Sequence, residues 1–143
     1  MDVLPCLQFQ KYTIKPTARS YPKEPKSIGE HIKKRRFDLN LMQSDIATRF
    51  GVSVATIHLW ETNRTEPMVK YYPKISDFLQ NDIFKVDEST FAGRVKSYRY
   101  RNGLTQKVLG KMLNVDGSTI TSWEAAEFKP SKQIILRVEQ LIG

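Results

Sequence analysis

The side chains able to do covalent or proton-transfer chemistry are few and scattered. His31 and His58 stand far apart, and Cys6 is the only cysteine. The chain contains no His-Glu-x-x-His, no paired-cysteine spacing and no glycine-rich phosphate loop. Ser20-Tyr21-Pro22-Lys23 has the Ser-x-x-Lys spacing of an acylating serine, but it lies in a proline-rich stretch with none of the companion motifs. No enzyme, metal site or cofactor is expected. What recurs is of another kind: Thr56-Ile57-His58-Leu59-Trp60-Glu61 returns 63 positions later as Thr119-Ile120-Thr121-Ser122-Trp123-Glu124.

The same ungapped frame pairs Ile32 with Val95, Arg36 with Arg99, Gln43 with Gln106, Ile46 with Leu109 and Pro67 with Pro130. Periodicity alone would match apolar positions, not Gln, Thr, Trp, Glu and Pro. The frame predicts a tandem duplication, with a first unit over 28–80 and a second over 91–143. Before them lies an arm, 1–27, with four prolines and five basic side chains. Between them lies an acidic linker, 81–90.

The elements that must position these residues are helices. Ser27 with Glu30 has the form of a capping box, so a first helix should start there and end near Asn40, the counterpart of Gly103. Thr105 caps the next helix, whereas its counterpart Met42 has no oxygen to offer. That second helix ends before Gly51 or Asn114. After a turn of about three residues, Ser53 or Asp116 caps a third helix. A last helix starts near Tyr72, with Pro73 in its first turn, and near Ser131 in the second unit. Thr62-Asn63, a turn after the third helix, faces Ala125-Ala126, which should let helix continue. The class is all-α.

The net charge of +8 asks for an anionic partner. Basic residues exceed acidic ones in the arm and in both units, while the linker is acidic. No apolar run is long enough to span a membrane and no signal peptide is visible, so a soluble protein of the cytoplasm is expected.

Helix, short turn, helix is the arrangement that lays its second helix in the DNA major groove. The strings Leu41-Met42-Gln43, Ile46-Ala47, Gly51-Val52-Ser53 and Ile57-His58-Leu59-Trp60-Glu61 carry the pattern in the first unit. Leu104-Thr105-Gln106, Leu109-Gly110, Val115-Asp116 and Ile120-Thr121-Ser122-Trp123-Glu124 carry it in the second. They resemble the lambdoid phage repressor and Cro type, the XRE family of helix-turn-helix proteins. The resemblance implies two tandem lambda-repressor-like domains binding double-stranded DNA, in a bacterial or phage transcriptional regulator, a repressor by type, working at the nucleoid.

Spacing puts Ile57 with Trp60, and Ile120 with Trp123, on the core face of each third helix. The resemblance implies buried ion pairs of Arg36 with Glu61 and of Arg99 with Glu124. The DNA-binding face is then Ser53, Val54, Ala55, Thr56, His58 and Leu59, and in the second unit Asp116, Gly117, Ser118, Thr119, Thr121 and Ser122. Base-edge contacts are implied at Val54, Ala55 and Leu59, with Gly117, Ser118 and Ser122 as counterparts. None of these is the Arg, Asn or Gln that makes bidentate base contacts. Val54, Ala55 and Leu59 suit thymine methyls, and the serines discriminate poorly. Phosphate contacts are expected from Gln43 and Gln106 at second-helix starts, from Arg64, and from Lys107 and Lys111. Arg19, Lys23 and Lys26 are the arm's candidates for phosphate or minor-groove contact. Glu127 stands where the first unit has Arg64, a repulsive exchange. The units act either as a tandem pseudo-dimer or through a homodimer built on Ile134-Ile135-Leu136-Arg137-Val138. Two other roles fit the composition: a protein-interaction or antitoxin-like module, and an accessory DNA-binding factor of a mobile element.

Overall fold

A computed structural model of the chain describes residues 21–143. Arg19 and most of the expected arm lie outside the described residues. The described part is all-helical: α1 (Ile28–Asp38), α2 (Gln43–Phe50), α3 (Val54–Glu61), a 3-10 turn (Val69–Tyr71), α4 (Tyr72–Leu79), α5 (Phe91–Arg101), α6 (Gln106–Leu113), α7 (Gly117–Glu124) and α8 (Lys132–Ile142). Its two compact units divide between Arg64 and Thr65, earlier than the boundary drawn from the repeat, so α4 lies in the second unit and packs on α5.

The expected start signals are used. Ser27 Oγ accepts the Glu30 N–H, Ser53 Oγ that of Thr56, Thr105 that of Val108 and Ser131 that of Ile134. Met42 supplies no side-chain cap. Asp45 compensates in part, its carboxylate accepting the Met42 N–H at 2.7 Å.

The stops fall in one register. Asn40, Gly51, Asn63 and Gln80 take left-handed backbone, and so do Gly103, Asn114, Ala126 and Gly143, each 63 positions on. At three of these pairs the next residue's N–H returns to the last turn of the helix: Leu41 to Arg36 O and Leu104 to Arg99 O, Val52 to Ala47 O and Val115 to Gly110 O, Arg64 to Leu59 O and Glu127 to Ser122 O. The expected run of helix through Ala125-Ala126 is therefore corrected. α7 stops at Glu124, and Ala126 turns left-handed at φ 54° like Asn63 at 57°. The closing hydrogen bonds of the turn outweigh alanine's helix preference.

The first unit buries Ile32, Ile46, Phe50, Ile57 and Trp60 between α1, α2 and α3. The second buries Val95, Leu109, Leu113, Ile120, Trp123 and Val138 between α5, α6, α7 and α8. Both third helices thus present the isoleucine and tryptophan inward, as spacing requires, and leave the opposite face to solvent.

Candidate nucleic-acid interface

Each third helix is held by one buried ionic network. Arg36 Nε and Nη2 donate to the two oxygens of Glu61 at 2.7 and 2.8 Å, Arg36 Nη1 to Leu41 O at 3.0 Å, and Gln43 Nε2 to Glu61 Oε2 at 2.9 Å. In the second unit Arg99 donates to Glu124 at 2.6 and 2.8 Å and to Leu104 O at 3.3 Å, and Gln106 Nε2 donates to Glu124 Oε2 at 2.9 Å. The side chains of both pairs are less than a tenth exposed. Burial works against the Arg99 charge, but the Glu124 carboxylate outweighs it and holds the guanidinium above its ordinary value.

The glutamines expected at phosphates are thus also the fourth member of these networks. One amide N–H of each is spent inward. Gln106 goes further: its Oε1 accepts the Thr121 hydroxyl at 2.9 Å, linking α7's outer face to α6. Gly117 O lies 3.1 Å from the same Thr121 hydroxyl and shares its single hydrogen. His58 occupies the Thr121 position in the first unit.

The outer face of α3 is open, with Ser53, Val54, Ala55 and His58 exposed and Thr56 and Leu59 half-buried. On α7, Ser118 and Thr121 are exposed and Thr119 and Ser122 half-buried. Gly117 differs from its counterpart Val54, because a Cβ there would meet the Lys107 backbone at 3.1 Å. Glycine lets α7 close on the start of α6, so its backbone rather than a side chain occupies this position. Asp116 accepts the Ser118 N–H at 2.8 Å, and hydrogen bonds from Ser118, side chain first and then backbone, hold its carboxyl below the ordinary range. The outer face of α7 therefore carries a fixed negative charge at its start. Arg64, Lys107, Lys111 and Glu127 are all exposed.

Third helices clamped at one end to the first helix and braced by the second expose a single face each, and their spacing to the preceding helix is three residues. Residues 95–143 match the helix-turn-helix family model. That match supports a DNA-binding helix-turn-helix of the XRE type in the second half of the chain. Comparison with curated proteins and with solved structures gave no match. Among the described residues no helix is long and apolar enough to cross a membrane.

Several anchoring residues had no signal in the sequence. Tyr21 stacks on Phe37, its hydroxyl donates to Asp38 at 2.6 Å, and Lys34 lies over its ring. The end of the arm is therefore fastened to α1, and Lys34 is drawn toward Asp38 as well. Asn63 clasps the start of α1, taking the Ser27 hydroxyl at 2.6 Å and donating to Glu30 at 3.0 Å. The acidic segment before α5 is folded: Glu88 accepts from Ser97 and Arg101, and Phe84 stacks on Tyr72 at 3.7 Å.

Proposed function

We propose that the chain is a sequence-specific duplex-DNA-binding regulator, a repressor by type, that works in the cytoplasm at the nucleoid through two tandem helix-turn-helix repeats, 28–80 and 91–143, the α1, α2 and α3 of the first lying in the first compact unit and its α4 in the second. The observation that carries this reading is the recurrence, atom for atom, of the Arg-Glu-Gln network at 63-residue spacing, each copy holding a third helix that turns its outer face to solvent. Chance would not reproduce a bidentate pair, a backbone acceptor and a glutamine in the same positions twice.

In this reading Val54, Ala55, His58 and Leu59, and Ser118, Thr119, Thr121 and Ser122, meet base edges. Ser53, Thr56, Gln43, Gln106, Lys107, Lys111 and Arg64 meet phosphates or the groove wall. Two linked units compensate for modest discrimination by each, because the second contact is intramolecular. The test is a titration of the full chain into duplex DNA at several salt concentrations. Log affinity should fall linearly with log salt, with a slope near −0.9 per phosphate contact. A slope near zero would remove the proposal.

A second reading is favoured by one observation. Val108, Met112, Phe128 and Leu136 of the second unit are each more than two-fifths exposed, which suits a protein partner better than a phosphate backbone. The partner of simplest stoichiometry is a second copy of the chain. Sedimentation of the free protein checks this: Leu136→Lys should abolish a dimer if α8 forms it, and a monomer without DNA supports the tandem pseudo-dimer instead.

A further inference from the structure

The outer face of α3 has an unusual supply of hydrogen-bonding groups for a base reader. Val54 is 47% exposed, Ala55 is exposed and Leu59 is half-buried beside them, so its base-facing side chains are largely hydrocarbon. The two hydroxyls on this face are turned toward each other. Ser53 Oγ accepts the Thr56 N–H at 3.1 Å, and the Ser53 and Thr56 hydroxyls share a hydrogen bond of 2.9 Å. That arrangement leaves one hydroxyl hydrogen between two side chains. His58 adds one ring, able to make a single contact. No side chain on the face can make the bidentate contacts, two donors to guanine or a donor and an acceptor to adenine, by which those bases are singled out.

In the major groove the one base feature that hydrocarbon recognises is the 5-methyl group of a pyrimidine. Resting on the DNA-binding role proposed above, we infer that α3 is a methyl reader. Val54, Ala55 and Leu59 pack against 5-methylpyrimidines, and its half of the target is specified by where those methyls stand rather than by hydrogen bonds. α7 does not share this property. Its corresponding residues are Gly117, Ser118 and Ser122, and the Asp116 carboxylate lies at its start, so methyl discrimination belongs to the first unit.

The shared chemistry, a methyl at pyrimidine C5, has two sources, thymine and 5-methylcytosine, and substitution within one duplex separates them. Random duplexes are first enriched on the full chain. In the best duplex each thymine is then replaced by uracil, which deletes only the methyl, and each cytosine by 5-methylcytosine. Affinities are measured for the wild type, Val54→Ala and Leu59→Ala. Removal of a read methyl should weaken wild-type binding about fourfold, and this loss should shrink toward nothing in Val54→Ala or Leu59→Ala. Gains confined to 5-methylcytosine that vanish in the same variants would support a methylated-cytosine source. Salt-dependent binding that is equal for thymine and uracil duplexes and indifferent to 5-methylcytosine would overturn the methyl reader while leaving DNA binding intact. A uracil penalty unchanged in both variants would overturn it too, by putting the contact elsewhere. Absence of salt-dependent duplex binding would remove the DNA-binding role and this inference with it.

Discussion

Burying Arg36 and Glu61 takes two charges out of water, and only their bidentate geometry, with Leu41 O and Gln43 filling further positions, makes that tolerable. Truncating one partner strands the other. Arg36→Ala should cost about 3–5 kcal/mol, comparable with the whole stability of a small helical unit, and unfolding followed by tryptophan fluorescence should show the Trp60 unit melting far ahead of the Trp123 unit. An unchanged melting temperature with weakened DNA binding would instead make Arg36 a contact residue. Glu30 gives a second test at this scale. Hydrogen bonds from the Lys26 N–H and then the Asn63 amide hold its carboxyl below the ordinary 4.5. A folded value lower than the unfolded one means its contribution is complete above about pH 4.5 and is lost as pH falls through the lowered value. Denaturant midpoints measured from pH 7 to pH 3 should therefore fall less steeply at the acid end in Glu30→Gln than in the wild type.

At the scale of elements, the repeat extends to backbone conformation, and one position fits it poorly. Ala126 takes left-handed φ where the first unit has Asn63, a residue type that tolerates it. Ala126→Gly should therefore raise the stability of the second unit by about 1 kcal/mol, read as a higher denaturant midpoint, and no change would mean that the turn is not strained. The opposite holds at Gly29, where an added Cβ would stand 1.7 Å from Trp60 O. Gly29→Ala should destabilise the first unit by about 1–3 kcal/mol through overpacking of α1 on α3, in the same measurement. These two positions mark what was legible in the sequence. Helix starts, the three-residue turns and the inward isoleucine and tryptophan follow from capping types and period 3.6, because those signals are local. The end of α7 departs from what alanine's propensity predicts, because the N–H groups of Ala126 and Glu127 return to its last turn and stop the helix. Gln43 and Gln106 had a visible position but a hidden partner, since only the folded chain brings the second helix within 2.9 Å of a carboxylate carried 18 residues on. The anchoring of Tyr21 on Phe37 and of Glu88 on Ser97 depends on how loops return, which no periodicity encodes.

For the whole molecule the question is whether both units grip DNA, and charge gives a way to ask it without knowing the target. Positive charge is in excess over both 28–80 and 91–143, yet the second segment carries Glu127 at the position of Arg64 and a fixed carboxylate at Asp116 at the start of α7. A carboxylate beside phosphates lowers affinity and withdraws nothing from the counterion atmosphere, whereas an arginine there displaces about one counterion. If the second unit lies on DNA, Glu127→Arg in the full chain should tighten binding to any duplex and steepen the log-log salt slope by about 0.9, and Arg64→Glu should make it shallower by the same amount. If only the first unit touches DNA, Arg64→Glu alone changes the slope and Glu127→Arg leaves it where it was. The slope responds to phosphates and not to base identity, so it can be read before the target sequence is known. A slope altered by neither substitution would leave both post-helix positions off the DNA and put the backbone contacts on the starts of α2 and α6.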